Sequence, residues 1–109
     1  MLLVFSAAVL ATAPSLAPAQ SFPSRPVKIV VPTSPGGATD AFSRALAPRL
    51  SDMWGQPVLV ENRPGANQIL GADHVSKSAP DGATLLVSDA SSFVINPHVY
   101  KKLPYDGVN

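Results

Sequence analysis

An α/β fold built on a parallel sheet is what this sequence predicts, and three observations carry the prediction. Three short apolar runs, VKIVV, PVLVE and TLLVS, are each set off by proline or glycine turns. Two stretches with helical spacing lie between them. The resulting order, strand, helix, strand, helix, strand, calls for right-handed crossovers between parallel strands.

The first twenty residues, MLLVFSAAVLATAPSLAPAQ, hold no charge, and all eight Lys and Arg and all seven Asp and Glu lie beyond them. Their apolar part is too short to span a bilayer comfortably. Ala17-Pro18-Ala19 fits the small-residue pattern before a cleavage point. Residues 1 to 19 therefore read as a secretory signal cut before Gln20, although no Lys or Arg lies near Met1. An N-terminal anchor or a buried apolar helix is the competing reading.

The elements follow in order. Val27 to Val31 is β-branched and bounded by Pro26 and Pro32. Near-continuous apolar character suits a strand buried on both faces. A helix is predicted from Thr39 to Trp54, with Phe42, Leu46, Leu50 and Trp54 as its apolar stripe and Ala45 and Met53 beside it. Pro48 should bend it, and Gly55 should stop it. The second strand is predicted over Pro57 to Glu61, ahead of the turn NRPG. A shorter helix follows from Ile69 to Lys77, and the turn PDG introduces the third strand, Thr84 to Ser88. Another helix begins near Ser91 or Ser92, and Asn96-Pro97 should limit it. Three strands with no closing element make a poor complete domain, so residues 20 to 109 are expected to be part of a larger protein.

Bulk composition excludes several functions. A net charge of +1 with scattered basic residues gives no nucleic-acid surface. With no cysteine there is neither a disulfide framework nor a thiolate metal site. His74 and His98 are isolated, without a nucleophile partner or zinc-ligand spacing. Neither a cofactor nor a metal is expected. Trp54 reads as core, and Arg63 as a solvated turn residue.

The chemistry concentrates in two loops. In open parallel sheets, ligands bind outside the carboxyl ends of the strands. PTSPGGATD follows the first strand and SDASSF follows the third. Gly36 and Gly37 let the backbone approach a ligand and turn its amides inward. The helix that starts there adds partial positive charge. A carboxylate or phosphate would be stabilised without any lysine. Thr39 offers a hydroxyl, while Asp40 should accept amide hydrogens in the first helical turn rather than touch an anion. Ser88, Ser91 and Ser92 come from the second loop. A Gly-Gly between strand and helix is also a common plain turn, and serines in such loops are common caps. The loop is neither a Walker A motif nor G-x-G-x-x-G.

The series SRPVKIVVP, PGGATD, GQPVLVENRPGA, GAD, KSAPDGATLL, INP and YKKLPYD runs in order between Phe22 and Asp106. It resembles the start of a Bug-type receptor, the periplasmic substrate-binding protein of tripartite tricarboxylate transporters. The resemblance implies two α/β lobes that close on a ligand like a flytrap, with residues 20 to 109 forming part of the first lobe. It implies a monomeric receptor, not an enzyme, which captures a small organic acid in the periplasm of a Gram-negative bacterium and delivers it to membrane permease subunits. It places the ligand on Gly36, Gly37, Ala38 and Thr39 in the first loop and on Ser91 and Ser92 in the second. Where the family often has G-A-G-G-N-I-G, this chain has Gly65-Ala66-Asn67-Gln68-Ile69-Leu70-Gly71; Asn67 can still adopt a left-handed turn, while the backbone approach that two glycines permit is lost. Many relatives have Thr and His where Ser92 and Phe93 stand. Asp89 adds negative charge, which would suit a ligand with an amine or an uncharged end. The competing readings are an exported α/β enzyme using the Gly-Gly loop as an oxyanion cradle, and a truncated product that does not fold alone.

Overall fold

The structure is a computed structural model that describes residues 17–107. Most of the expected signal segment lies outside the described residues. Three parallel strands form the sheet: β1 (Val27–Val31), β2 (Val58–Asn62) and β3 (Thr84–Leu86), in the order β2-β1-β3. Two longer helices make the crossovers, α1 (Ala38–Trp54) between β1 and β2, and α2 (Ile69–Ser76) between β2 and β3. A π-helical turn, Ser91–Ile95, runs directly into a short helix, α3 (Asn96–Val99).

The central position of β1 explains its composition. Val27, Ile29, Val30 and Val31 are all buried, because neighbours pair on both edges and helices cover both faces. Ile29 and Val31 pack with Ala47 of α1 and with Leu50, Val58 and Val60. Lys28 is half-buried and reaches Glu61 of the adjoining strand at 2.7 Å. On the α2 side the approach is close enough to require glycine. A Cβ on Gly71 would stand 2.6 Å from Pro32 Cβ and 3.0 Å from the Arg63 carbonyl oxygen.

The predicted stripe of α1 is corrected. Phe42 and Met53 are 59 % and 76 % exposed, and Ala45 is exposed too. Leu46, Leu50 and Trp54 of the stripe are half-buried, with Leu50 against the core, but the fully buried face of the helix is Asp40, Ser43 and Ala47. Small residues bring the helix axis close to the strands, and their polar atoms are satisfied internally. Ser43 Oγ donates to the Thr39 carbonyl at 2.8 Å. Apolar periodicity cannot detect a buried face built from satisfied polar groups. Pro48 lies within α1 without ending it, and the Gly55 amide closes the helix on the Ser51 carbonyl at 2.9 Å.

Smaller shifts also have local causes. β2 begins one residue later than expected, at Val58, although the Pro57 carbonyl still accepts from the Val27 amide at 2.9 Å. β3 is shorter than the predicted run. The Val87 amide continues the ladder to the Val30 carbonyl, and Ser88 then turns into a side-chain network. Asn96-Pro97 does not limit the last helical segment. Proline in the first turn of α3 has no N–H to lose there.

Candidate functional site

The crossovers put three loops on one edge of the sheet: residues 32–37 after β1, 63–68 after β2, and 87–90 after β3. α1 packs against β2 and β1, and α2 against β3 and β1. The crossover from β1 goes one way, and the one from β2 passes back over β1 to reach β3. Adjacent strand tips whose chains leave in opposite directions make a topological switch point, where α/β sheets open a crevice. Here that point lies between the tips of β1 and β3, where the sequence places its two candidate loops.

The first loop is held by Asp40. Gly36 has φ +95°, a conformation that L side chains rarely adopt, and nothing crowds its Cα. Its amide donates to Asp40 Oδ2 at 2.9 Å. Asp40 thus accepts an amide hydrogen, from the residue before the helix rather than from within its first turn. Asn62 Nδ2 donates to Asp40 Oδ1 at 2.9 Å and to the Thr33 carbonyl at 3.1 Å. Arg44 Nε lies 3.0 Å from Asp40 Oδ1, and its Nη2 reaches Asn62 Oδ1 at 2.8 Å. The Gly36 amide, the Asn62 amide and the Arg44 guanidinium hold the Asp40 carboxyl down at about 2. Arg44 and Asn62 carried no motif signal, because they meet Asp40 only through the helix turn and the neighbouring strand.

The Gly36 amide is engaged by Asp40, and the helix start lies just beyond it. Gly37 is the N-cap of α1 and makes no side-chain cap. The first-turn amides of Ala38 and Thr39 have no intrahelical acceptor, as at any helix start. Thr33 Oγ1 is buried and has no hydrogen-bond partner among the described residues. A methyl on Gly37 would stand 4.0 Å from it, so that hydroxyl lies beside the helix start. Sequence reading missed Thr33, since a single threonine in a loop signals nothing until its burial is known.

The third loop is built differently. Ser92 is fully buried, and its hydroxyl meets Gln68 Oε1 at 2.9 Å and Ser88 Oγ at 2.7 Å. Ser88 Oγ also donates to Gln68 Oε1, at 2.7 Å. Gln68 Nε2 donates to both oxygens of Asp89, each at 2.8 Å. The Ser91 amide donates to Asp89 Oδ1 at 2.8 Å. Tyr105 closes the group by donating to the Ser92 carbonyl at 2.7 Å. Ser92 therefore sits inside the wall, and Ser91, half-buried, spends its amide on Asp89.

Gln68 and its neighbours come from the second loop, which sequence reading did not place at the site. Ala66, Asn67 and Gln68 all take left-handed backbone, with φ of 49°, 52° and 72°. The left-handed turn expected of Asn67 is present and spreads to both neighbours. Such a conformation costs about 1–2 kcal/mol per residue. Reciprocal bonds offset it: Asn67 Nδ2 donates to Asn96 Oδ1, and Asn96 Nδ2 to the Asn67 carbonyl, each at 2.8 Å. The visible signals were the run GANQ in place of paired glycines and the Asn before Pro97.

His74 lies in α2 and His98 in α3. Among the described residues no three His, Asp or Glu side chains are grouped to hold a metal ion, and no helix is long and apolar enough to cross a membrane. Arg63 is exposed and pairs with Glu61. Trp54 is half-buried, edge-on to Phe22 with ring centroids 5.7 Å apart.

A sequence model of the tripartite tricarboxylate transporter family receptor, TctC, matches residues 42–109. The chain belongs to this receptor family. TctC relatives include BugT of Bordetella pertussis, 44% identical over 99 residues, covering 88% of this chain and 30% of BugT. A UPF0065 protein of the same organism is 43% identical over 93 residues, covering 85% of this chain and 29% of its own length. Among solved structures, a periplasmic transporter superposes with a TM-score of 0.76 at 40% identity, over 80% of this chain and 29% of that one. MatC from Rhodopseudomonas palustris, with bound malate, gives 0.74 at 37% identity, over 79% of this chain and 29% of that one. The chain thus spans about three tenths of the length of these TctC relatives. The α/β architecture matches part of the periplasmic-binding-protein fold.

Proposed function

We propose that this chain forms the ligand-facing edge of the first lobe of a periplasmic receptor for a small organic acid. The receptor would close a second lobe over its solute and hand it to the membrane permease subunits of a tripartite transporter. Residues 1 to 19 would direct its export, and residues 20 to 109 would fold as the first part of lobe one. It would act as a monomer in binding, with no chemical step.

The observation that carries this reading is the start of α1. An uncapped helix N-terminus opens at the switch point, next to a buried, unpartnered hydroxyl on Thr33. Amides in such a position favour an anion by charge and by hydrogen bonding together. The carboxylate would take the amides of Ala38 and Thr39, with Gly37 allowing its approach and the Thr39 and Thr33 hydroxyls adding donors. Gly36 supports from behind, tied to Asp40. Ser92 and Ser91 would shape the opposite wall, with the Ser91 hydroxyl the nearer of the two to solvent. MatC holds malate, and another R. palustris structure with a TM-score of 0.75 holds adipate. Both molecules are carboxylates, in keeping with a carboxylate on this edge.

Calorimetric titration of a receptor of family length carrying this chain, against a panel of organic acids, tests the proposal. Saturable binding of at least one acid is expected. Heat changes no larger than dilution across mono-, di- and tricarboxylates would refute it.

A further inference from the structure

Two acids stand at the ligand edge, and only one is neutralised. Asp40 has the Arg44 guanidinium against it at 3.0 Å. Asp89, three residues beyond β3, is held by neutral donors, the Ser91 backbone amide, the Gln68 side-chain amide and the Ser91 hydroxyl. Among the described residues no cation forms an ion pair with it. Those donors keep it ionised: the Ser91 amide first, and then the Gln68 amide, lower its carboxyl below the ordinary value.

The charge is also fixed in place. Gln68 is buried, and its Oε1 takes hydroxyl hydrogen bonds from Ser88 and Ser92, which leaves its Nε2 aimed at Asp89. Asp89 itself is exposed. β3 pairs directly with β1, at the usual strand spacing of about 4.8 Å, so the loops that carry the start of α1 and Asp89 leave adjacent strands. A ligand seated on the start of α1 and reaching toward the loop after β3 meets a stationary negative charge. The Ser91 amide, a donor that a second carboxylate would need, is already taken by Asp89.

We infer that Asp89 determines specificity at this site by selecting a monocarboxylate whose far end is cationic or uncharged. The inference rests on the carboxylate occupying the α1 N-terminus as proposed above. A diacid placing its second carboxylate at the loop after β3 meets like charge with no cation to relieve it. An ammonium there gains a partner, and a neutral amide avoids the repulsion.

Amide chemical shifts of the isotope-labelled protein test this with three probes of similar length: succinate, succinamate and γ-aminobutyrate. In the native protein the Ala38 and Thr39 amides should respond to γ-aminobutyrate at roughly fivefold lower concentration than to succinate, the upper range for an exposed charge pair, with succinamate between. Asp89→Asn should erase that order. Asp89→Ser, which can still accept the Ser91 amide hydrogen, should do the same and covers the case in which the asparagine variant fails to fold. Equal response to all three acids in the native protein, or an order unchanged in both variants, would overturn the role of Asp89 while leaving the carboxylate site intact. If none of the three moved the Ala38 and Thr39 amides, the carboxylate reading would fall, and this inference with it.

Discussion

The loops after β1 and β3 look alike in sequence and behave differently in the structure. Each follows a parallel strand, precedes a helical start, and carries an aspartate that accepts a backbone amide, Asp40 from Gly36 and Asp89 from Ser91. At β1 the aspartate sits behind the loop, beside Arg44 and Asn62, and the helix start beyond it stays open. At β3 the aspartate is in front, the serine hydroxyls turn inward to Gln68, and the helix start is filled by the protein's own carboxylate. Equivalent positions on the fold thus carry different hydrogen-bonding arrangements. On the proposed reading, the side of the loop that its own acid occupies is what separates them: Asp40 bonds the Gly36 amide ahead of α1, and Asp89 takes the Ser91 amide.

The sharpest way to break the comparison is to delete one donor at the open loop without disturbing the helix. Ala38 is the first residue of α1, where proline is well tolerated, and Gly37 before it is already extended at φ −77°, ψ 172°. Ala38→Pro should leave the thermal melt nearly unchanged and weaken carboxylate binding by about 1.5–3 kcal/mol, the range for a hydrogen bond to a charged group. Binding unaffected by this substitution would show that the amide is not a contact.

Ser92→Ala tests the closed loop and should reverse the pattern. It removes a buried hydroxyl that donates to Gln68 Oε1 and meets half-buried Ser88 Oγ, leaving Gln68 Oε1 with the Ser88 hydroxyl alone. A loss of about 1–2 kcal/mol in denaturant unfolding is expected, with a smaller change in affinity. If affinity fell and stability held, Ser92 would be a ligand contact after all.

Acid titration probes the aspartate of the first loop more gently. Asp40 is depressed from an ordinary 3.8 to about 2. A group depressed on folding stabilises above its unfolded value and loses that contribution as pH falls through its folded one. Stability should therefore fall between roughly pH 4 and pH 2, and Asp40→Asn should flatten that part of the profile. An unaltered profile in the variant would contradict the bonds assigned to Asp40. The smallest effect belongs to Arg63. Its pair with Glu61 is exposed, so Arg63→Ala should shift unfolding by under about 1 kcal/mol.

The sheet was legible because burial on both faces leaves an unmistakable run such as VKIVV, and because NRPG and PDG punctuate the chain. The first loop was legible for a related reason: adjacent glycines at a strand end are a local signal. The face of α1 was not, since Ser43 and Asp40 are buried through bonds to Thr39, Gly36 and Asn62 that no periodicity encodes. The closed wall was hidden for the same cause. Gln68 and Ser92 are 24 residues apart, and only the crossover through α2 brings them together. Thr33 became visible only once its hydroxyl was seen buried and unpaired.

The most direct measurement is a crystal structure of the family-length receptor with its bound acid. Carboxylate oxygens at hydrogen-bonding distance, roughly 2.7–3.2 Å, from the Ala38 and Thr39 amide nitrogens are the predicted result. A carboxylate bound elsewhere, with the start of α1 facing only solvent, would contradict it.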